Sequence, residues 1–263
     1  MTTYVIKLGG HALLDISAAN TALATIAEDI ASLQREGNRV LLVHGGGPAI
    51  ASLLEHVGEP STFVEGLRVT TPTVMQYVDM ALAHVNRALV SRLLHHGVPA
   101  VGLSGVDAAT LSAEAVGESL GRVATEPRVA TDLITHLWSG GFVPVISPVA
   151  NDAMGERVNC NADTSAGALA GALHADALLL LSDIDQLRTD VSDPTTGVAS
   201  VTVRDIAELM ATGAIHGGMQ PKVQAAIDAI EAGAKRVWLA NGMRHHCVRD
   251  LLAQQLPTTE IMP

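Results

Sequence analysis

The chain has 263 residues, 48% hydrophobic, 16% charged and only 2% aromatic, with a formal net charge of −11. This describes one large or two small ordered domains around an aliphatic core. The acidic balance argues against a broad nucleic-acid surface but leaves room for a local positive pocket. The two cysteines, Cys160 and Cys247, have no CxxC spacing, so zinc and redox motifs lack support and a reduced, cytoplasmic setting is expected. The start, Met1-Thr2-Thr3-Tyr4, has no basic segment leading into a secretory apolar stretch. No run of about 18 apolar residues predicts a membrane span.

Tyr4 to Leu8 reads as a buried first strand that delivers Lys7 to the glycine pair Gly9-Gly10. A helix is predicted from Ser17 to Gln34, with Leu23, Ile26, Ala27, Ile30 and Leu33 at helical spacing. Arg39 to His44 is a second buried strand, running into Gly45-Gly46-Gly47-Pro48 and a further helix. This repeated strand, glycine loop and helix predicts a parallel sheet with ligands at the carboxyl ends of its strands. Glu65 to Thr70 is a loop or short strand, and Pro72 opens a long helix to His95. Pro99 to Gly105 is a third strand, and residues 108–129 suggest a β-hairpin. A short helix from Thr131 to Trp138 and a fourth strand, Phe142 to Ile146, follow; Pro144 within it hints at an edge or a bulge. An alanine-rich helix after Asn161, a strand from Ala177 to Leu181, a turn at 193–197, helices from Arg204 and Lys222, and a final strand from Arg236 to Ala240 complete the chain. One sheet shared by two lobes, divided near residue 175, fits this order.

Three features converge on an anionic ligand: Lys7 with Gly9 and Gly10, the Gly45 to Gly47 loop, and Gly217-Gly218 leading to Lys222. Glycines let backbone N–H groups approach phosphate oxygens, and two lysines suit phosphoryl transfer, where positioning and electrostatics do most of the catalysis. GxxxxGK[ST], protein-kinase signatures and GxGxxG are all absent. Each residue also has a plainer reading. Lys7 could be a solvated strand-end lysine, Arg68 a surface ion pair, and Asp163 a helix-capping group, although Asn161 is better placed to cap. Lys222 in a first helical turn opposes the helix dipole, which leans toward function. His216 reads as a loop histidine. His245-His246 beside Cys247 invites a metal, but adjacent side chains point apart, so a solvated surface is favoured.

Six stretches, in order, resemble the amino acid kinase family: Lys7-Leu8-Gly9-Gly10, His44 to Pro48, Gly66 to Thr70, Asn159 to Asp163, Ser182-Asp183 and Gly217 to Lys222. The likeness is nearest to members that phosphorylate the γ-carboxylate of N-acetyl-L-glutamate in arginine biosynthesis. It implies an open three-layer αβα sandwich with a mainly parallel sheet, an N-terminal lobe for the acyl amino acid and a C-terminal lobe for ATP, with Mg²⁺ carried by the nucleotide. It implies that Lys7 and Lys222 stabilise the transferring phosphoryl group and that Asp163 orients them. Gly9, Gly10, Gly45 and Gly46 would offer N–H groups to the γ-phosphate and substrate. Arg68 and Asn159 would bind the acyl amino acid, and Ser182, Asp183, Ile215, His216, Gly217 and Gly218 would surround ATP.

Gln186 stands where the family commonly has glycine, and His216 where a small hydroxyl residue is common, so the ATP contacts here differ from the usual pattern. Two other readings remain open. One is a kinase acting on carrier-protein-linked aminoadipate; the other is a non-catalytic amino-acid sensor. Arginine-inhibited members resemble one another in an extra helix before the first strand. With a strand starting near Tyr4, the expectation here is a homodimer with weak or no arginine inhibition, with the Pro72 to His95 helix as candidate dimer surface.

Overall fold

The computed structural model describes residues 1–9, 13, 21–64, 66–190, 192–193, 195–211, 215 and 219–263. Their frame is an eight-stranded sheet in the order Ser200–Thr202, Thr259–Met262, Val237–Asn241, Ala177–Ser182, Thr3–Leu8, Arg39–His44, Val143–Ser147, Ala100–Ser104. Neighbours run parallel except Val237–Asn241 against Thr259–Met262. The first strand is central: the chain builds outward to one side of it, then returns to build the other side. Such a switch in strand order opens a crevice at the carboxyl ends of the strands, where Lys7 and Gly9 lie.

Among the described residues eight helices flank the sheet: α1 (Thr21–Arg35), α2 (Gly47–Val57), α3 (Pro72–His95), α4 (Asp132–Ser139), α5 (Ala162–Ala172), α6 (Val203–Ala211), α7 (Gln220–Glu231) and α8 (Cys247–Leu252). Strand alternation sorts the core. Val5, Leu41, Val43, Leu178 and Leu180 face α5 and α7, where Ala166, Leu169 and Ala226 fill the gap. Ile6, Leu8, Leu42 and Leu179 face α1 and α3, against Ile26, Ile30, Val85 and Leu89. The result is the expected three-layer αβα sandwich with a mainly parallel sheet. The strand Arg39–His44 and the helix Pro72–His95 fall on their predicted bounds. α1 begins at Thr21, and residues 17–20 of its predicted span lie outside the described residues. No helix among the described residues is long and apolar enough to cross a membrane.

Four expectations need correction. Residues 108–129 do not form one hairpin: Leu111–Ser112 pairs antiparallel with Arg128–Val129, whereas Val123–Ala124 pairs parallel with Arg157–Cys160. These pieces belong to a second, five-stranded sheet, whose long-range partners local alternation cannot reveal. Pro144 lies in an interior strand. Its pairing with Arg39–His44 begins only at Leu42↔Val145, one residue past the proline, and nearby the Val40 carbonyl accepts a hydrogen bond from Trp138 Nε1 at 2.9 Å. The chain does not end its sheet at Ala240, because Thr259–Met262 adds an antiparallel strand. His246 is not merely solvated: its Nδ1 lies 2.7 Å from Oδ1 of the buried Asp29, tying the start of α8 to α1.

α5 and α7 pack without room between them. A Cβ on Gly167 would sit 2.6 Å from the Ala225 carbonyl oxygen, and one on Gly171 would sit 2.3 Å from Ala232 Cβ. The N-terminal turns of these two helices carry Asp163 and Lys222. Gly167→Ala is therefore expected to lower the unfolding free energy by about 1–3 kcal/mol through overpacking. Urea unfolding of the variant beside the wild type checks this expectation.

Candidate active site

Lys7 sits one residue before the end of the central strand, on the face that meets α5. Asn161 caps α5, accepting hydrogen bonds from the N–H groups of Asp163 at 2.8 Å and Thr164 at 3.3 Å. The cap prediction for Asn161 holds, and it leaves the Asp163 side chain free for other partners. That carboxylate bridges two ammonium groups. Lys7 Nζ lies 2.8 Å from Oδ1, close as an ion pair but not aligned as a hydrogen bond, and Lys222 Nζ donates to Oδ2 at 2.9 Å. Residues from the two ends of the chain thus meet on one carboxylate.

Lys7 and Asp163 are each only 5% exposed, so the group is held in a poorly solvated setting. Burial lowers the pKa of Lys7; Asp163 opposes this and Lys222 adds to it, leaving the ammonium below its ordinary value. Burial alone would raise Asp163, but Lys7 and Lys222 outweigh it and hold the carboxyl below the usual carboxylate range. With two ammoniums to one carboxylate, the trio keeps one positive charge in excess, suited to an incoming anion.

Lys7 and Asp163 line a cleft of about 340 Å³ shared with Gly45, Gly46, Gly47, Arg68, Asn159 and Cys160, and Lys222 reaches its edge through Asp163. The first-turn N–H groups of α2 have no acceptor inside their own helix, and the helix dipole favours anions there. Gly46 is the N-cap of α2. The Gly45 N–H, by contrast, already donates to the Leu8 carbonyl at 3.1 Å. Gly46 is therefore better placed than Gly45 to offer a backbone donor. Gly9 must be glycine because a Cβ there would meet the Leu181 carbonyl oxygen at 2.7 Å and the Ser182 Cα at 3.3 Å. That contact brings Ser182 beside Gly9 across the strand ends.

Arg68 closes the other side. Its guanidinium donates to the Ser61 hydroxyl and, at 3.2 Å, to the Gly47 carbonyl, and lies 4.6 Å from the Phe63 ring centroid. Burial lowers its pKa, but an arginine remains charged. Ser61 and Phe63 are supports that sequence reasoning missed. A signal was available: Phe63 is one of only two phenylalanines in the chain, and it sits beside the arginine motif. Asn159 Nδ2 donates to Thr70 Oγ1 at 3.2 Å, and Thr70 Oγ1 donates to the Arg68 carbonyl at 2.8 Å. Burial pushes the Cys160 thiol up to about 12, so it lines the cleft as an inert group.

The candidate nucleotide residues are only partly described. Ser182 ends its strand, with Asp183 next to it. Ile215 is buried and its N–H donates to the Leu209 carbonyl at 3.3 Å. Gly10, His216, Gly217 and Gly218 lie outside the described residues. Gln186 donates through Nε2 to the Thr258 carbonyl at 2.9 Å, joining its loop to the C-terminal strand.

A family model described as the amino acid kinase family matches residues 2–241. An acetylglutamate kinase from Methanocaldococcus jannaschii is 39% identical over 258 residues, covering 93% of this chain and 85% of the relative. One from Symbiobacterium thermophilum is 39% identical over 254 residues, with 93% and 85% covered. Among solved structures, smu.665 from Streptococcus mutans superimposes with a TM-score of 0.80 at 27% identity, covering 91% of this chain and 94% of that one.

Asp163→Asn would leave two apposed ammoniums without a counter-charge, and is expected to cost about 3–5 kcal/mol of stability by denaturant titration. Because the folded pKa of Asp163 is lowered, its stabilising contribution is complete above the ordinary carboxylate value of about 4. That contribution is lost as pH falls below this value toward the folded one. The wild-type protein should therefore lose more stability on acidification through that window than Asp163→Asn does.

Proposed function

The chain belongs to the amino acid kinase family, and from that premise we infer that its cleft transfers the γ-phosphoryl group of ATP to the γ-carboxylate of N-acetyl-L-glutamate. The product is an acyl phosphate, and the reaction is a step of arginine biosynthesis. The observation that carries this reading is the Lys7–Asp163–Lys222 trio beside the N-terminus of α2. A carboxylate oxygen is already a nucleophile, so no general base is needed. The difficulty is repulsion between two anions, and buried positive charge with aimed N–H groups answers it.

Lys7 and Lys222 stabilise the charge on the transferring group, and Asp163 fixes both. Arg68, with its planar fork, and Asn159 bind N-acetylglutamate, Arg68 being suited to a bidentate carboxylate contact. Gly9, Gly10 and Gly46 supply backbone donors, and Gly45 shapes the loop. Ser182, Asp183, Ile215, His216, Gly217 and Gly218 surround the nucleotide. The acyl lobe extends to about residue 175, the ATP lobe follows it, and the central strand lies between them. Mg²⁺ travels with the phosphates. Asp163 is the one carboxylate lining the cleft among the described residues, and both its oxygens face lysines; the protein-side chemistry is therefore charge stabilisation rather than metal ligation. The name of the full-length relatives speaks for N-acetylglutamate over a carrier-linked substrate.

The enzyme works in the cytoplasm as a homodimer paired through α3, a helix that leaves Met80 58% and Leu94 53% exposed. Light scattering tests this: a monomer, or a dimer undisturbed by Met80→Glu, would count against that surface. The chemistry is tested by Lys7→Ala and Lys222→Ala, each expected to lower kcat at least about 100-fold with a melting temperature showing a folded protein. Arg68→Lys is expected to raise KM for N-acetylglutamate with a smaller change in kcat. Near-normal turnover in either lysine variant would refute the assigned roles.

A further inference from the structure

The strand that ends in the glycine loop ends on a histidine that cannot touch substrate. His44 is 0% exposed. Its register partner is Leu8, while Val43 pairs with Lys7. Alternation therefore sends Lys7 toward α5 and His44 through the other face of the sheet, toward α3. There its two ring nitrogens are both engaged. Nδ1 lies 2.9 Å from the Gly45 carbonyl oxygen, and Nε2 lies 3.0 Å from Nδ2 of Asn86 on α3.

The protonation pattern follows from the partners. A carbonyl oxygen only accepts, so Nδ1 carries the proton. Asn86 Nδ2 also faces the carbonyls of Val145 at 2.9 Å and Leu103 at 3.3 Å. Those oxygens identify that end of the amide as its NH₂ group, so Nε2 must be the bare acceptor. Gly102 makes room for this amide, since a Cβ there would fall 2.1 Å from Asn86 Oδ1. Burial lowers the His44 pKa to about 4, consistent with a neutral ring.

The consequence lies in the next peptide unit. The Gly45 carbonyl and the Gly46 N–H belong to one planar trans peptide and point in opposite directions. A glycine peptide can turn over with little steric resistance. On the reading of the cleft as a phosphoryl-transfer site, we propose that His44, keyed by Asn86 as its Nδ1-protonated tautomer, is a positioning residue. It holds the Gly45 carbonyl beneath the sheet and so directs the Gly46 N–H into the cleft, toward the transferring phosphoryl group. Two further contacts limit the loop. The Gly45 N–H is tied to the Leu8 carbonyl at 3.1 Å. Leu82 Cδ2 stands 2.6 Å from where a Gly46 Cβ would be.

Nitrogen-15 correlation spectra of the side chains test the tautomer in the wild-type protein at neutral pH. One of the 11 histidines should show protonated Nδ1 and bare Nε2, and that signal should vanish in His44→Phe. Kinetics test the role. His44→Phe, which keeps bulk and removes the donor, should lower kcat about 100-fold with KM for N-acetylglutamate changed far less. His44→Asn, whose amide nitrogen can stand near the Nδ1 position, should recover to within about tenfold of the wild type, a rescue that lost packing alone would not give. An Nε2-protonated ring, a folded His44→Phe with wild-type kcat, or equal losses in both variants would overturn the proposal. If His44→Phe does not fold, the wild-type spectrum and His44→Asn decide. A wild-type protein that phosphorylates no acceptor would instead sink the kinase reading, and the tautomer would then judge the loop geometry by itself.

Discussion

A single carboxylate holds two ammonium groups that would otherwise repel each other in a space with little water. Asp163 meets Lys7 at 2.8 Å and Lys222 at 2.9 Å, and the rest of the architecture can be traced to that need. Lys7 arrives on the central strand, Asp163 on the first turn of α5, and Lys222 on the first turn of α7. The dipole of α5 favours its carboxylate, whereas that of α7 opposes its lysine. Asp163 compensates for the second by answering Lys222 directly. The pairing leaves one positive charge in excess, a setting suited to an incoming anion.

Close backbone approaches let these elements converge. Gly167 and Gly171 allow α5 and α7 to touch, and Gly9 allows the central strand to end against Leu181 and Ser182. The strand-order switch places the same spot beside α2, whose first turn presents N–H groups. On the far face, the His44–Asn86 pair braces the loop from beneath. Charge comes from side chains and direction comes from backbone, and both are fixed before substrate enters.

Much of this was legible in the sequence where the pattern was local. Apolar runs fixed Arg39–His44, and helical spacing opened by a proline fixed Pro72–His95. Asn161 was readable as a cap because an asparagine before a helix-forming run satisfies free N–H groups. Lys7, Asp163 and Lys222 came together through their order in a family motif, since nothing local says that residues 7 and 222 meet. What escaped notice depended on distant partners. The five-stranded sheet includes the two-residue strands Leu111–Ser112 and Val123–Ala124, whose parallel partners Asn151 and Asn159 lie far along the chain. Pro144 suggested an edge or a bulge, and its strand has a neighbour on each side. Phe63 carried no reading in the sequence, because its role is a ring that lies over Arg68 from the neighbouring two-residue strand.

The most direct measurement is a turnover assay with Mg·ATP in which hydroxylamine traps an acyl phosphate, run side by side on N-acetyl-L-glutamate, glutamate and aspartate. ADP release and hydroxamate formation are expected with N-acetyl-L-glutamate, and little of either with the other two. ADP release without hydroxamate, or silence with all three acceptors, would contradict the proposed reaction.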